Sequence, residues 1–341
     1  MRPTTHDIAR EAEVSLATVD RVLNNRTGVS AKTHERVNQA IKKLGYVRDV
    51  SAANLAKKRQ YKMAFVLPED KGLFQQSLRS AIEEASVRGF ADRTQIQLVS
   101  VPPNEPHALV LKLKKLLKKK IDGVAIMAPA TPQLRDAISE LKNNGVAVVA
   151  LVSDQPDSEC DHFVGINNVA AGRTAAVLMG RFLPAAQGEV LVLTNSLQSH
   201  DSVDRRLGFD EVMNQRFQHL NVLPTLEGHG DSVRIEQALG NAIESSNNLV
   251  GIYSLSTGNR SLNRYLNELN TESNLVIITH ELTSHTRTAL NTGAIDAVIT
   301  QNPGHIIRSA LRVLRAKSDH LDIDTSQEKI RIEVVIKENL D

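Results

Sequence analysis

Across 341 residues the chain has one cysteine, Cys160, which excludes an intrachain disulfide framework. No apolar run approaches the roughly 20 residues that a membrane-spanning helix requires. The opening MRPTTHDIAREAEV also lacks the apolar core of a secretory signal. Together these absences predict a protein of a reducing cytoplasm. Motifs that announce chemistry are missing as well. There is no H-E-x-x-H, G-x-S-x-G, phosphate-binding P-loop or G-x-G-x-x-G, and the eleven histidines show no ligand spacing with the cysteine. No cofactor, no metal site and no catalytic set are therefore expected. An enzyme remains an alternative to be tested by screening any bound ligand for turnover.

What is present is length and an uneven charge. With 41% hydrophobic residues the chain is long enough for two or three globular units, each with its own core. Net charge is only +2, yet residues 1–60 hold 12 Lys/Arg against 6 Asp/Glu, leaving 29 against 33 for the rest. A basic N-terminal unit of this kind is the electrostatic footprint of a nucleic-acid reader.

Residues 4–24, TTHDIAREAEVSLATVDRVLN, read as a small helix-turn-helix. Thr4 and Asp7 are spaced like a capping box, and Ile8, Ala9 and Ala12 form the apolar face of a first helix running from Asp7. Ser15 is a natural N-cap for a second helix, Leu16–Leu23. Its Val19, Val22 and Leu23 point inward, and Leu16, Ala17 and Arg21 point outward. Ser30 begins a third helix, whose Val37, Ala40, Ile41 and Leu44 close a three-helix core. The next stretch, GYVRDVSAANLAKKRQ, has small residues, one large apolar side chain (Leu55) and a basic end, as a hinge helix has.

The helix-turn-helix spacing, VSxATVxRVLN, VSAKTxERV and the xxAxxLAxxR segment together resemble the lactose-repressor (LacI/GalR) family of bacterial transcription regulators, over the whole chain and most specifically over residues 4–59. The resemblance implies a three-helix helix-turn-helix domain at 1–49, a hinge helix and linker at 50–60, and a two-lobed α/β domain like a periplasmic binding protein at 61–341, serving effector binding and dimerisation. It also implies that the second helix enters the major groove. Arg21 then meets guanine O6 and N7, and Leu16 and Ala17 meet thymine methyls. Thr4, Ser15, Thr18, Asn24 and Ser30 position the backbone of the duplex. In the minor groove Leu55 is a wedge between base steps, with Ala52 and Ala53 small enough for close approach. Taken singly, an exposed arginine is ordinarily a solvated charge and a helix-initial serine ordinarily a cap. The ensemble reverses that preference. Two positions depart from the family pattern. Glu13 stands in the turn where glycine is usual, which costs about 1 kcal/mol if φ is positive. Asp20 stands where a hydroxyl is usual, and beside phosphates it needs a partner such as Arg21 or cytosine N4.

From Tyr61 onward short β-branched runs alternate with amphipathic stretches, the signature of parallel sheets with crossover helices. Strands are predicted at 62–67, 96–101, 123–127, 146–152, 188–193, 250–255, 274–279 and 296–300, with helices such as 74–87 and 171–182 and a final strand in IRIEVVI. So many strands suit two lobes. The resemblance places chain crossings between the lobes near His162–Asn167, near Asp296–Pro303 and in the DIDTSQ segment. The basic LKLKKLLKKK (111–120) fits an ordinary crossover helix with a solvated lysine face.

For the cleft between the lobes, the resemblance implies contacts from loops after strand ends. These are Leu73 and Phe74 after the first strand, Asp154 in place of an Asp-Arg pair that is here Val152-Ser153, and Arg205 before a Gly-Phe pair. Asn259, Glu281 and Gln301 complete the set. One arginine, two acids, an amide and an aromatic suit a polyhydroxyl effector: a sugar, sugar alcohol or sugar acid. The expected protein is a homodimer on double-stranded, near-palindromic operator DNA, more often released than tightened by its effector. No leucine heptad follows the last strand, so dimers rather than tetramers are expected. A cytoplasmic or exported solute-binding protein without regulatory DNA binding is the rival class, disfavoured by the helix-turn-helix.

Overall fold

In a computed structural model the described residues are 3–23, 26–46, 59–69, 72–89, 93–103, 105–184, 187–229, 231–246, 248–255, 262 and 275–340. Asn24, the hinge positions Ala52, Ala53 and Leu55, and Asn259 lie outside them. The chain forms two compact units, Met1–Arg59 and Gln60–Asp341.

In the first unit α1 (Thr5–Glu11), α2 (Leu16–Leu23) and α3 (Ala31–Leu44) pack around Ile8, Ala12, Val19, Val22, Val37 and Ala40. The helix starts are chemically specified. Asp7 N donates to the Thr4 hydroxyl and Thr4 N to the Asp7 carboxylate, at 3.3 and 2.9 Å, which satisfies two orphan donors reciprocally. The helix thus starts at Thr5, two residues before the position predicted from periodicity. Ser15 and Ser30 accept from the backbone of Thr18 and Thr33, each at 3.2 Å. In the turn Glu13 does adopt φ 48°, the left-handed region anticipated from the missing glycine. Arg36 holds that turn by donating to the Ala12 and Glu13 carbonyls.

The second unit contains two sheets. The first, in order β2-β1-β3-β4-β5, is parallel throughout: β1 (Tyr61–Pro68), β2 (Thr94–Val101), β3 (Gly123–Ile126), β4 (Ala147–Leu151) and β5 (His162–Val164). Helices α4 (Leu73–Gly89), α5 (Pro106–Lys118) and α6 (Pro132–Asn143) connect them. On α5, Leu109, Leu113 and Leu116 are buried while its lysines are exposed, as the amphipathic reading required.

After β5 the chain enters the second lobe as α7 (Asn168–Phe182), then β6 (Gly188–Thr194), α8 (His200–Arg216), β7 (Leu220–Val222), β8 (Leu226–Glu227), α9 (Ser232–Ser245), β9 (Leu249–Ser254), β10 (Val276–His280), α10 (Ser284–Thr292) and β11 (Ala297–Thr300). It then returns to the first lobe as α11 (Pro303–Ser318), which packs on α4 and β4, and comes back as β12 (Glu333–Val335). The second sheet runs β12-β11-β10-β9-β6-β7, with β8 beside β6; only the β11–β12 pair is antiparallel. Crossings therefore follow β5, β11 and α11, at the three predicted segments. Strands β5, β7 and β8 were not predicted. Central strands are buried on both faces, as helix-covered parallel sheets require.

Candidate functional site

A cavity of about 200 Å³ lies between the two lobes of the second unit. Its walls come from the carboxyl ends of strands, where ligands bind in open parallel sheets. The first lobe contributes Phe74 and Gln75 at the start of α4, Met127 to Pro129 after β3, and Val152 and Ser153 after β4. The second contributes residues between Asn195 and Ser202 after β6, Arg205 on α8 and Glu281 after β10.

At its floor is a buried charged cluster. Arg205 is 2% exposed and all three of its nitrogens donate: Nε to Asn168 Oδ1 at 2.9 Å, Nη1 to the Leu255 carbonyl at 2.7 Å and Nη2 to Glu281 Oε1 at 3.4 Å. Gln301 Nε2 also donates to Glu281 Oε1, at 3.0 Å. The Ile166 N–H donates to Gln301 Oε1 at 3.4 Å, so one amide ties the first and second chain crossings together. Burial pushes the Glu281 carboxyl above its usual range, and the adjacent Arg205 pulls in the opposite direction.

Two glycines allow this placement. Helices α7 and α8 cross so closely that a Cβ on Gly172 would lie 2.0 Å from the Arg205 carbonyl oxygen, and one on Gly208 2.0 Å from that of Val169. The contact brings Asn168, in the first turn of α7, to the Arg205 guanidinium.

Two strand ends are bent out of ordinary backbone conformation at the cavity. Ser153 N donates to the Leu151 carbonyl at 2.6 Å around Val152, whose φ is 63°. This is the rare, strained three-residue turn, with a β-branched residue at its centre. Glu281 has φ 69°. Strain of roughly 1–3 kcal/mol at each such residue is held by surrounding packing and is characteristic of ligand sites.

Among the described residues, three buried polar atoms of the lining find no hydrogen-bond partner: Gln75 Oε1, Ser153 Oγ and Glu281 Oε2. Buried polar groups are nearly always paired. Three orphans converging on one cavity mark it as built for an occupant.

Of the predicted cleft residues, Phe74, Arg205 and Glu281 line this cavity. Gln301 stands behind Glu281 as a positioning group. Leu73, at the first position of α4, is not part of the wall, and Asp154 faces a different groove with His162, Asp204 and Glu328. Phe74 is also a core residue, 4% exposed. Gln75, Ser153 and Asn168 were missed. Their signal was position alone, directly after a predicted strand or at a helix start. In the first unit Leu16, Ala17 and Arg21 share the exposed face of α2, while Asp20 pairs with Arg26 at 3.2 Å.

Under the glutamate, His280 is fully buried and its Nε2 lies 2.8 Å from the Tyr253 hydroxyl. Burial holds this imidazole well below the usual histidine value of 6.5, helped by nearby Arg205, so it folds neutral. A depressed histidine contributes stability that is present above pH 6.5 and lost as pH falls below it. Stability is expected to fall below pH 6.5 about 1.4 kcal/mol per pH unit more steeply in the wild type than in His280→Gln. Parallel curves from denaturant melts at pH 7, 6 and 5 would contradict the assignment.

Residues 63–321 match the family described as periplasmic binding protein domain, and residues 4–49 the bacterial regulatory proteins of the lacI family. Among sequence relatives, catabolite control protein A of Staphylococcus aureus (strain MRSA252) is 25% identical over 216 residues, 63% of this chain and 62% of that protein. The same protein of Staphylococcus epidermidis is 28% identical over 59% of this chain and 63% of its own length. The chain thus aligns with somewhat less than two thirds of these relatives. Among solved structures, GanP, a glucose-galactose binding protein from Geobacillus stearothermophilus, has a TM-score of 0.73 at 18% identity, over 83% of this chain and 99% of that one. A putative LacI transcriptional regulator from Bacteroides fragilis has 0.69 at 18% identity, over 82% and 98%. At these identities the structural likenesses speak for the fold. This chain belongs to the periplasmic binding protein domain family, joined at residues 4–49 to a DNA-binding domain of the lacI family of bacterial regulatory proteins.

Proposed function

We propose that the protein is a sugar-responsive, sequence-specific transcriptional regulator, most simply a repressor, that acts in the cytoplasm as a homodimer on a two-fold symmetric operator. The observation that carries this reading is the union in one chain of a capped, outward-facing second helix at 16–23 within a lacI-family domain and an interlobe cavity with three unsatisfied polar atoms. A protein that only delivers solute to a transporter has no use for residues 4–49. The families matched are those of a regulator and a binding protein, and the mechanism requires no chemical step.

In this reading α2 lies in the major groove. Arg21 donates in bidentate fashion to a guanine, and Leu16 and Ala17 face thymine methyls. Thr4, Ser15, Thr18, Asn24 and Ser30 hold phosphates, and the segment with Ala52, Ala53 and Leu55 bends the minor groove. Arg205 and Glu281 bind the effector's hydroxyls beside Phe74, with Gln301 fixing the glutamate. The effector bridges both walls and favours one relation between the lobes. Because that relation sets the spacing of two DNA-reading units in a dimer, effector and DNA affinities are reciprocally coupled.

Arg21→Ala is expected to weaken operator binding by about 5- to 150-fold, the equivalent of about 1–3 kcal/mol for one bidentate contact. It should also abolish preference for the contacted base pair. A titration of the wild-type and base-substituted operators that finds selectivity intact would remove Arg21 from the reading set.

A further inference from the structure

One edge of the first lobe is strongly basic and takes no part in the effector cavity. We infer that this edge is a second, sequence-independent DNA contact, in which Lys118, Lys119 and Lys120 meet phosphates of the duplex that residues 4–49 read; this rests on the DNA-binding reading above and not on the identity of the effector.

The edge lies where the chain enters the first lobe, at the amino ends of its strands. There Tyr61 N donates to the Arg93 carbonyl at 3.0 Å, Lys62 N to Asp122 Oδ2 at 2.7 Å and Asp122 N to the Lys62 carbonyl at 2.9 Å. Asp122 comes two residues after Lys120, so the carboxyl end of α5 stands beside the start of β1. The end of α4 closes on the same corner, since a Cβ on Gly89 would lie 2.9 Å from the Thr94 carbonyl oxygen, and Arg88 comes with it. Lys62, Arg88, Arg93 and Lys118 to Lys120 are all exposed.

Cations at helix carboxyl ends ordinarily complement the helix dipole. Three observations go beyond that. Residues 112–120 hold six lysines, with no acid anywhere between Glu105 and Asp122. Lys114 and Lys118, and Lys115 and Lys119, are like charges four residues apart, which destabilises a helix; the neighbouring α6 mixes signs, with Arg135, Asp136, Glu140 and Lys142. Among the described residues, Lys62, Lys118, Lys119 and Lys120 form no ion pair, and of the six lysines only Lys114 reaches an acid, Glu140 at 3.8 Å. Finally, Arg93 and Lys120 have φ of 53° and 52°, left-handed positions in which glycine is relaxed and a base stands instead.

The distribution of charge identifies the partner. Outside these six lysines, residues 61–341 hold 23 Lys/Arg against 33 Asp/Glu. A unit that is negative elsewhere and positive along one edge presents that edge to a polyanion and repels it from the rest. Duplex DNA carries a charge about every 1.7 Å of its axis, and the lacI-family domain of the same chain supplies it. Only residues 47–58 join that domain to the edge, so DNA held by one is at high local concentration for the other.

The test is the salt dependence of binding by the full-length protein to a fluorescein-labelled duplex of random sequence, read by anisotropy between about 50 and 200 mM KCl. One variant combines Lys118→Gln, Lys119→Gln and Lys120→Gln, since glutamine and lysine have similar helix propensity. A control removes three exposed charges from the second lobe: Arg181→Gln, Arg234→Gln and Lys337→Gln. Each phosphate contact contributes about 0.9 to the slope of log affinity against log salt, so the lysine variant should lose about 2–3 from the slope and bind at least about 10-fold more weakly at low salt. The control should keep most of the wild-type slope. Equal slopes for wild type and lysine variant overturn the inference and leave the lysines to solvent or to an acidic protein. Equal losses in the two variants overturn it as well, because net charge rather than this edge is then responsible. If the wild type binds neither this duplex nor any sequence in a random pool, the DNA-binding reading itself falls and the inference with it.

Discussion

Arg205→Ala is expected to destabilise the second unit by about 3–5 kcal/mol, the cost of breaking a buried ion pair by removing one partner. The side chain is 2% exposed and supplies donors to Asn168, to the Leu255 carbonyl and to Glu281. Without it all three acceptors are buried and short of a donor, and the carboxylate has lost its counter-charge. Arg205→Lys retains the charge but not the planar fork that serves three directions at once, so it should recover only part of the loss. The double variant with Glu281→Gln should be more stable than Arg205→Ala alone, because the uncompensated charge goes with it. Stability of Arg205→Ala within about 0.5 kcal/mol of wild type, the range of ordinary surface changes, would contradict the geometry. Under the proposed function the variant also loses its response to sugars while still binding operator DNA at a temperature where it is folded.

Gly172→Ala and Gly208→Ala offer a test whose sign separates two physical effects. Both glycines lie inside helices, α7 and α8. Helix propensity alone predicts a gain of about 1 kcal/mol for alanine. Packing predicts the reverse, because each added methyl would lie 2.0 Å from a backbone carbonyl oxygen of the facing helix. Backbone cannot swing aside as a side chain can, so the helices must separate. Overpacking of this kind costs about 1–3 kcal/mol or more, and packing should win. The separation also draws Asn168 away from Arg205, so the damage reaches the cavity. A melting temperature several degrees below wild type is expected for each variant. Gly145→Ala is the control, since its Cβ would meet nothing within 4 Å and only its φ of 75° opposes the change. Melting temperatures at or above wild type for Gly172→Ala and Gly208→Ala would mean that the helices do not cross this closely.

The N-terminal unit was the most legible part of the chain, because its signals are local. A Thr and an Asp three residues apart, or a Ser before an apolar stripe, declare a helix start without reference to anything distant, and Glu13 in a glycine position announced its own positive φ. The strands that escaped notice, β5, β7 and β8, are three, three and two residues long, too short for any alternation to register. They exist because a neighbouring strand offers a ladder to them.

The cleft was legible mainly through resemblance. No spacing in the sequence relates Arg205 to Glu281, 76 residues away, or to Asn168, 37 residues away. Topology brings them together. Ser153 and Asp154 show the limit sharply. The acid is the chemically louder neighbour, yet the strained turn at Val152 leaves Ser153 in the cavity wall and Asp154 on another groove. Backbone direction at a single residue decided this, and composition carries no record of it.

The most direct measurement is selection of bound fragments from a random duplex DNA pool by the purified full-length protein, alone and with the neutral pentoses and hexoses, followed by sequencing. The account predicts enrichment of a two-fold symmetric sequence whose half-sites each hold a guanine lost from the preference of Arg21→Ala, with enrichment that changes when one of the sugars is present. No enriched sequence under any of these conditions would contradict it.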